Sequence, residues 1–287
     1  MDFSWDDLRL FLDVARLGGL SAARATTGLS AATLGRRVTA LERQIGEPLF
    51  IRTQTGFTLT RAGEALLERA QDVEAAMRAL THWREGAVGA RVVRVSAGTW
   101  TSDFLARHMD ALWSPGDGFR VELVTAYEKI DIGRRAADIG IRSERPLEAN
   151  LATRRMTPVA YALYCAPRLV PGVRDGLFVG VTGRAGNTAS ARWLMAHHGD
   201  RIVISGNDAH SVRELVAGGA GLTVLPCFIG DADPRLSRIR GPIADLAADQ
   251  WLVLHHEERH SPPVRTLAER IGRLMKDNRA LFAGETS

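Results

Sequence analysis

Apolar residues recur at helical spacing from the start of the chain. Over residues 5–16, Leu8, Phe11, Leu12 and Ala15 fall on one face. Asp6 and Asp7 stand near the helix N-terminus, where the backbone dipole favours negative charge. Gly18 and Gly19 stop this helix. Ser21 to Thr26 predicts a second short helix, and Ala22, Ala23 and Ala25 allow it close packing. Gly28, Leu29 and Ser30 predict a tight turn, because glycine supplies the turn geometry and serine is a good N-cap. A third helix then runs to about Gln44, with Leu34, Val38, Leu41 and Ile45 inward and Gly46 at its end. From Glu47 to Thr60 the pattern changes to a small β-hairpin with Gly56 at its tip. Thr60 caps a long helix from Arg61 to roughly Trp83. Leu66, Ala70, Val73, Met77 and Leu80 form its apolar stripe.

Gly86 and Gly89 predict a hinge, and beyond them strands alternate with helices. Strands are expected at 91–97, 119–125, 138–142, 160–166, 177–181, 201–205, 222–225 and 251–255. Helices are expected at 103–113, 131–137, 189–198, 208–218 and 264–274. This order predicts crossover connections and a mainly parallel sheet. The run Gly218-Gly219-Ala220-Gly221 permits a tight helix-to-strand junction. Its order is wrong for a phosphate-binding fingerprint.

Composition narrows the function class. The chain has 287 residues, 45% hydrophobic and 24% charged, which suits two or three soluble domains. Its net charge is +4, and Lys129 and Lys276 are the only lysines. Within residues 1–65, eight arginines meet seven acids, a net charge of +1. Any nucleic-acid affinity therefore depends on where charge is placed and on how many copies bind. Cys165 and Cys227 read as buried thiols in a reducing compartment, 62 positions apart and without a metal-site spacing. His197-His198 and His255-His256 are adjacent pairs whose side chains diverge. No compact nucleophile–base set or carboxylate pair suggests an enzyme. No secretory signal and no apolar run of about eighteen residues is visible, so a cytoplasmic, nucleoid-associated protein is expected.

Three helices followed by a hairpin describe a winged helix-turn-helix, whose third helix is shaped to enter a DNA major groove. Ser30, Ala31, Ala32, Thr33, Arg36 and Arg37 are the candidate contacts at its exposed start. Thr33 and the alanines suit thymine methyls or base edges, and the arginines suit guanine or phosphate. Arg43, Arg52 and Arg61 suit backbone phosphate, with pairing inside the fold the alternative for Arg43.

This pattern resembles the LysR-type transcriptional regulators. The resemblance is carried by Leu8 to Phe11, Ala22-Ala23, Leu29-Ser30, and Leu41-Glu42-Arg43-Gln44-Ile45-Gly46-Glu47-Pro48-Leu49-Phe50. Arg52-Thr53, Gly56, Leu59-Thr60 and Ala62-Gly63 complete it, and Ala137 to Arg142 and Gly218 to Pro226 extend it towards the end of the chain. Ala31 and Gly35 depart from the family's usual glutamine and serine. Operator sequence therefore does not transfer from a relative.

The resemblance implies an α/β chain with a mostly α winged helix-turn-helix at residues 1–63. A linker and dimerisation helix at 64–86 and an effector-binding region at 90–287 follow. That region would hold two α/β subdomains built like periplasmic binding proteins, at about 90–161 plus 226–287 and at 162–225. A cleft between them would take a small organic effector, with no cofactor or metal. Candidate effector contacts are Thr99, Trp100, Thr101, Ser102, Thr125, Tyr127, Ser205, Asn207 and Phe228. Arg142 could pair with an anionic effector or with Asp138. The implied partners are double-stranded promoter DNA, further copies forming a homodimer or homotetramer, and RNA polymerase; no membrane is implied. The competing expectation is an architectural DNA-binding protein whose α/β region only drives assembly.

Overall fold

Ser4 accepts a hydrogen bond from the Asp7 amide and caps the first helix, α1 (Trp5–Leu17). The computed structural model describes residues 4–53, 56–88, 90–125, 132, 137–170, 176–256 and 258–285. The chain divides into two units, Met1–Arg84 and Glu85–Ser287.

In the first unit, α1 is followed by α2 (Leu20–Thr27) and α3 (Ala31–Ile45). Gly28 closes α2 with φ of 69°, a conformation that costs any side chain with a Cβ. The hairpin is β1 (Phe50–Thr53) paired antiparallel with β2 (Gly56–Leu59). Helix α4 (Arg61–Val88) follows. Phe11, Leu12, Leu34, Leu41 and Leu49 are fully buried where the three helices and the hairpin meet. Two polar contacts fix the hairpin. Glu42 of α3 accepts from the amides of Leu49 and Phe50, at 2.8 and 3.3 Å. Thr60 donates to the Pro48 carbonyl at 2.6 Å and accepts from the Gly63 amide at 3.0 Å. A Cβ on Gly63 would lie 2.1 Å from the Leu49 carbonyl oxygen, so only glycine lets α4 start this close to the hairpin. Helix α4 continues past Gly86, where a hinge was expected; a single glycine weakens a helix without ending it. Gly89 lies outside the described residues.

The second unit opens with β3 (Arg91–Ala97), α5 (Thr99–Arg107), α6 (Met109–Leu112), β4 (Phe119–Thr125), β5 (Ile139–Arg142) and β6 (Leu151–Arg155). Then come β7 (Tyr161–Cys165), β8 (Phe178–Val181), α7 (Ala189–His198), β9 (Ile202–Gly206), α8 (Ala209–Ala217), β10 (Thr223–Pro226), α9 (Cys227–Gly230) and β11 (Ser237–Arg238). The unit closes with β12 (Trp251–His255), α10 (Pro262–Asp277) and α11 (Arg279–Ala283).

The larger sheet has the order β4-β3-β5-β12-β6. Strand β3 is parallel to β4 and β5, but β12 is antiparallel to both of its neighbours. The sheet is mixed, not mainly parallel, because the returning chain enters it between β5 and β6 from the opposite end. The second layer comprises β10-β7-β11, antiparallel throughout, and a parallel β8-β9 pair. Because β11 pairs with β7, the second subdomain extends well beyond 225, and the chain rejoins the larger sheet only at β12. The expected helix at 103–113 is two helices. It begins earlier, at Thr99, and breaks at His108, whose backbone leaves helical geometry. The helix expected at 131–137 falls largely outside the described residues. Cys165 and Cys227 are buried in separate core clusters, and burial pushes both thiols up.

One ion pair gives the second unit a pH response. Arg270 of α10 donates to both oxygens of Asp117, at 2.6 and 2.8 Å, and the Ser114 amide adds a third bond at 2.7 Å. These bonds hold the Asp117 carboxyl at about 2. A carboxyl depressed on folding stabilises above its unfolded value, roughly 3.9, and loses that contribution as pH falls through its folded value. Urea midpoints are expected to fall from about pH 4 down to about pH 2. The Asp117→Asn variant is expected to flatten that part of the curve; an unaltered curve would contradict the assignment.

Candidate functional site

The first candidate surface is the exposed start of α3. Ser30 accepts from the Thr33 amide at 3.2 Å, and the two hydroxyls lie 2.9 Å apart. Ser30 is therefore committed to capping, and its hydroxyl and that of Thr33 form one polar corner at the helix tip. Ala32 and Arg36 are exposed, and Ala31 is half-buried. Arg36 has no ion pair among the described residues. Arg37 differs, because its guanidinium binds Asp7 of α1 at 2.6 and 2.7 Å, tying α3 to α1. Gly35 is half-buried, and a Cβ there would rest 3.4 Å from Leu20. Arg61 is exposed at the start of α4, and Arg52 lies on β1 opposite Phe57.

The second candidate site is a cavity of about 510 Å³ in the second unit. The start of α5 supplies Gly98, Thr99, Trp100 and Thr101, and the end of β5 supplies Arg142, Ser143 and Glu144. The opposite wall comes from the second layer, through Asn187, Ser190 and Val224. Trp100 packs against the cores of both layers. The first turn of α5 has no side-chain cap, so its amides remain available to an acceptor. Gln250 donates to the Thr101 hydroxyl at 3.0 Å. The Gln250 side-chain oxygen, Oε1, and the Thr99 hydroxyl have no hydrogen-bond partner, although both residues are only 8% exposed. An unpaired buried polar atom costs about 1–3 kcal/mol; both residues belong to the cavity lining, although neither atom is exposed at its surface.

Charge at the cavity is mostly positive, with Arg142 and Arg192 against Glu144. Arg142 does not pair with Asp138. It donates to the Ser96 carbonyl at 2.9 Å and to the Ser96 hydroxyl at 3.2 Å. Asp138 instead accepts from the Arg94 amide at 2.7 Å and from Arg91 at 3.2 Å. Burial pulls the Arg142 guanidinium below its usual range, and a nearby anion would relieve that desolvation.

Of the expected effector contacts, Thr99, Trp100, Thr101 and Phe228 line this cavity. Phe228 does so from inside the core, stacked on Phe282 at 4.2 Å. Ser102 turns away, because its hydroxyl donates to the Ala97 carbonyl at 3.3 Å. Thr125 is exposed on the edge strand β4. Ser205 and Asn207 are exposed at the end of β9, and β8 contributes Val181 to the wall in their place. Tyr127 lies outside the described residues. Gln250, Asn187 and Tyr161 were not anticipated. They come from segments that only the folded chain brings together, and no local motif marks them. No group of metal-ligating side chains occurs among the described residues.

Two family models match the chain. Residues 5–64 match "Bacterial regulatory helix-turn-helix protein, lysR family" and residues 87–276 match "LysR substrate binding domain". The chain belongs to the LysR family. Among its LysR-family relatives, the HTH-type transcriptional regulator AbaB of Streptomyces antibioticus is 30% identical over 248 residues. That match covers 77% of this chain and 81% of AbaB. An HTH-type transcriptional regulator of Mycobacterium tuberculosis is 34% identical over 139 residues, so the match spans 47% of this chain and under half, 43%, of that relative. Among solved structures, CbnR, a LysR family transcriptional regulator, superposes with a TM-score of 0.59 at 19% identity, covering 96% of this chain and all of CbnR. LysG of Corynebacterium glutamicum with bound effector Arg gives 0.53 at 16% identity, covering 96% and 99%. These likenesses show a shared fold. No helix among the described residues is long and apolar enough to cross a membrane.

Proposed function

We propose that this chain is a ligand-responsive transcriptional regulator that reads promoter DNA through α3 and senses a small organic anion in the 510 Å³ cavity. The observation that carries the sensing half is the uncapped start of α5, which opens on a cavity edged by Arg142 and Arg192. An anionic group at the uncapped start of α5 would meet free amides and the positive end of the helix dipole. A second polar group on the same molecule would pair Gln250. Ligand binding between two layers then shifts the population of their arrangements, which is how a cleft reports to a DNA reader. The structure of CbnR with its target DNA, 20% identical to this chain, supports extending the DNA half by likeness.

Assembly follows from α4. Ala70 is buried against the first unit, whereas Val73, Met77 and Leu80 are 42%, 38% and 59% exposed on the continuation of the same stripe. A second copy of the chain is the natural cover for that stripe. It would place two readers on a partly palindromic site, as a dimer or within a tetramer. A promoter-bound regulator of this kind would be cytoplasmic and nucleoid-associated, act on RNA polymerase recruitment, and carry out no catalysis.

Genome-wide occupancy of the tagged native protein at near-base resolution tests this reading. Peaks on a partly palindromic promoter motif support it, and broad motif-free occupancy favours an architectural role. Arg36→Ala is expected to weaken binding to the recovered site. If Arg36 contacts phosphate, the log–log salt slope falls by about 0.9 per bound reader. If it reads a base, the slope holds and discrimination at one position falls by about 1–3 kcal/mol. Unchanged affinity would remove Arg36 from the interface.

A further inference from the structure

A second concavity, of about 820 Å³, shares no lining residue with the cleft. Its walls are the end of β6, the second half of α10 and the start of α11. Arg154, Arg155, Arg273, Lys276 and Arg279 line it, against the single carboxylate of Glu269. That carboxylate leans towards Arg265, 3.8 Å away and outside the lining. Arg155 is paired with Asp249 at 2.8 Å. Arg273, Lys276 and Arg279 are exposed and have no partner among the described residues. Arg273 and Lys276 stand three positions apart on α10 and so share a face.

The groove is constructed rather than incidental. Arg154 lies across α10 and donates to the Ala268 carbonyl at 3.3 Å. It reaches that position because α10 carries Gly272 at the crossing; a Cβ there would sit 2.2 Å from the Arg154 guanidinium. Glycine inside a helix weakens it relative to alanine. Here that cost accompanies a cation held against the helix. The floor is rigid, because the buried Thr157 donates to the Met275 carbonyl at 3.1 Å. The adjacent Met156 amide donates to the Gln250 main-chain carbonyl at 2.7 Å, which continues the ladder between β6 and β12.

We propose that this groove binds a small, multiply charged oxyanion of the phosphate-ester or polycarboxylate type, separately from the cleft ligand. Five cations around one concavity focus a positive potential that a single compact polyanion neutralises. Arginine forks match the paired oxygens of phosphate and carboxylate groups. A nucleic-acid backbone would call for a track of cations, whereas these converge on one pocket.

Calorimetric titration of the intact protein with pyrophosphate, and separately with citrate, at low ionic strength tests the proposal. Saturable binding near one anion per chain is expected. The double variant Arg273→Gln/Lys276→Gln is expected to weaken it by about tenfold or more, since each lost charge-assisted contact is among the stronger polar interactions. The equally charged control Arg120→Gln/Arg240→Gln and the reader variant Arg36→Ala are expected to leave it unchanged. Both doubles alter exposed side chains, and matched melting curves confirm that they fold. Preference for pyrophosphate assigns a phosphate ester and preference for citrate a polycarboxylate; either supports the proposal. Equal weakening by both doubles would reduce the effect to net charge and overturn it. Absence of saturable binding by either anion overturns it too. So does a salt slope for duplex DNA that falls in the groove variant while neither anion binds, because the groove would then be a DNA contact.

Discussion

Truncation of Phe11 to alanine is expected to destabilise the first unit by about 3–5 kcal/mol and to abolish DNA binding at ordinary temperature. Phe11 is 0% exposed on α1, and its ring lies 5.3 Å from that of Phe50 on β1. Phe50 in turn meets Phe57 of β2 edge-on at 5.8 Å. One side chain thus joins helices and hairpin, and its removal leaves a cavity bounded by elements pinned elsewhere. Glu42 and Thr60 hold the hairpin start, so the void cannot close by simple movement of β1. Calorimetry should show the transition of the first unit moving down while that of the second unit stays in place. Equal movement of both, or none, would show that Phe11 is not the centre of a separate core.

Thr99→Val is expected to act in opposite directions on stability and on sensing. Valine matches threonine in shape and removes the hydroxyl that has no partner. The free protein should gain stability, by about 1–3 kcal/mol at most, because the desolvation cost of an unsatisfied group disappears. The same change removes a donor from the cleft, so a ligand that stabilises the wild type in a thermal screen should lose affinity by about tenfold or more. Gln250→Leu is expected to behave likewise at the carbonyl oxygen, with the added loss of its bond to Thr101. A destabilised free protein with intact ligand response would show that Thr99 serves packing rather than binding.

Helix α3 was legible because three independent signals agreed there: the inward spacing of Leu34, Val38, Leu41 and Ile45, the glycines Gly28 and Gly46 on either side, and Ser30 as its cap. Strand β6 carried no such signal. Its sequence, Leu-Ala-Thr-Arg-Arg, occupies a sheet edge and is only half-buried, so alternation is weak. Strand β11 is two residues long, too short for any period, yet it decides where the second subdomain ends. In the cleft, sequence picked out Thr99 to Ser102 because they follow a strong strand, although it began the helix only after them. It did not locate Gln250, which reaches Thr101 across 149 positions. It also could not separate Ser102 from Thr101, since their difference lies in which way a first-turn side chain faces.

The clasp between Asp7 and Arg37 bears on how operator preference drifts among descendants of this chain. One arginine of α3, the helix proposed to read DNA, is held by a carboxylate on another helix, so its availability is set by a residue not among the expected DNA contacts. Loss of that carboxylate, as in Asp7→Asn, would present Arg37 to the duplex without altering any residue of α3. A new guanine preference can thus arise by a single step in the scaffold, before the reading surface itself has changed.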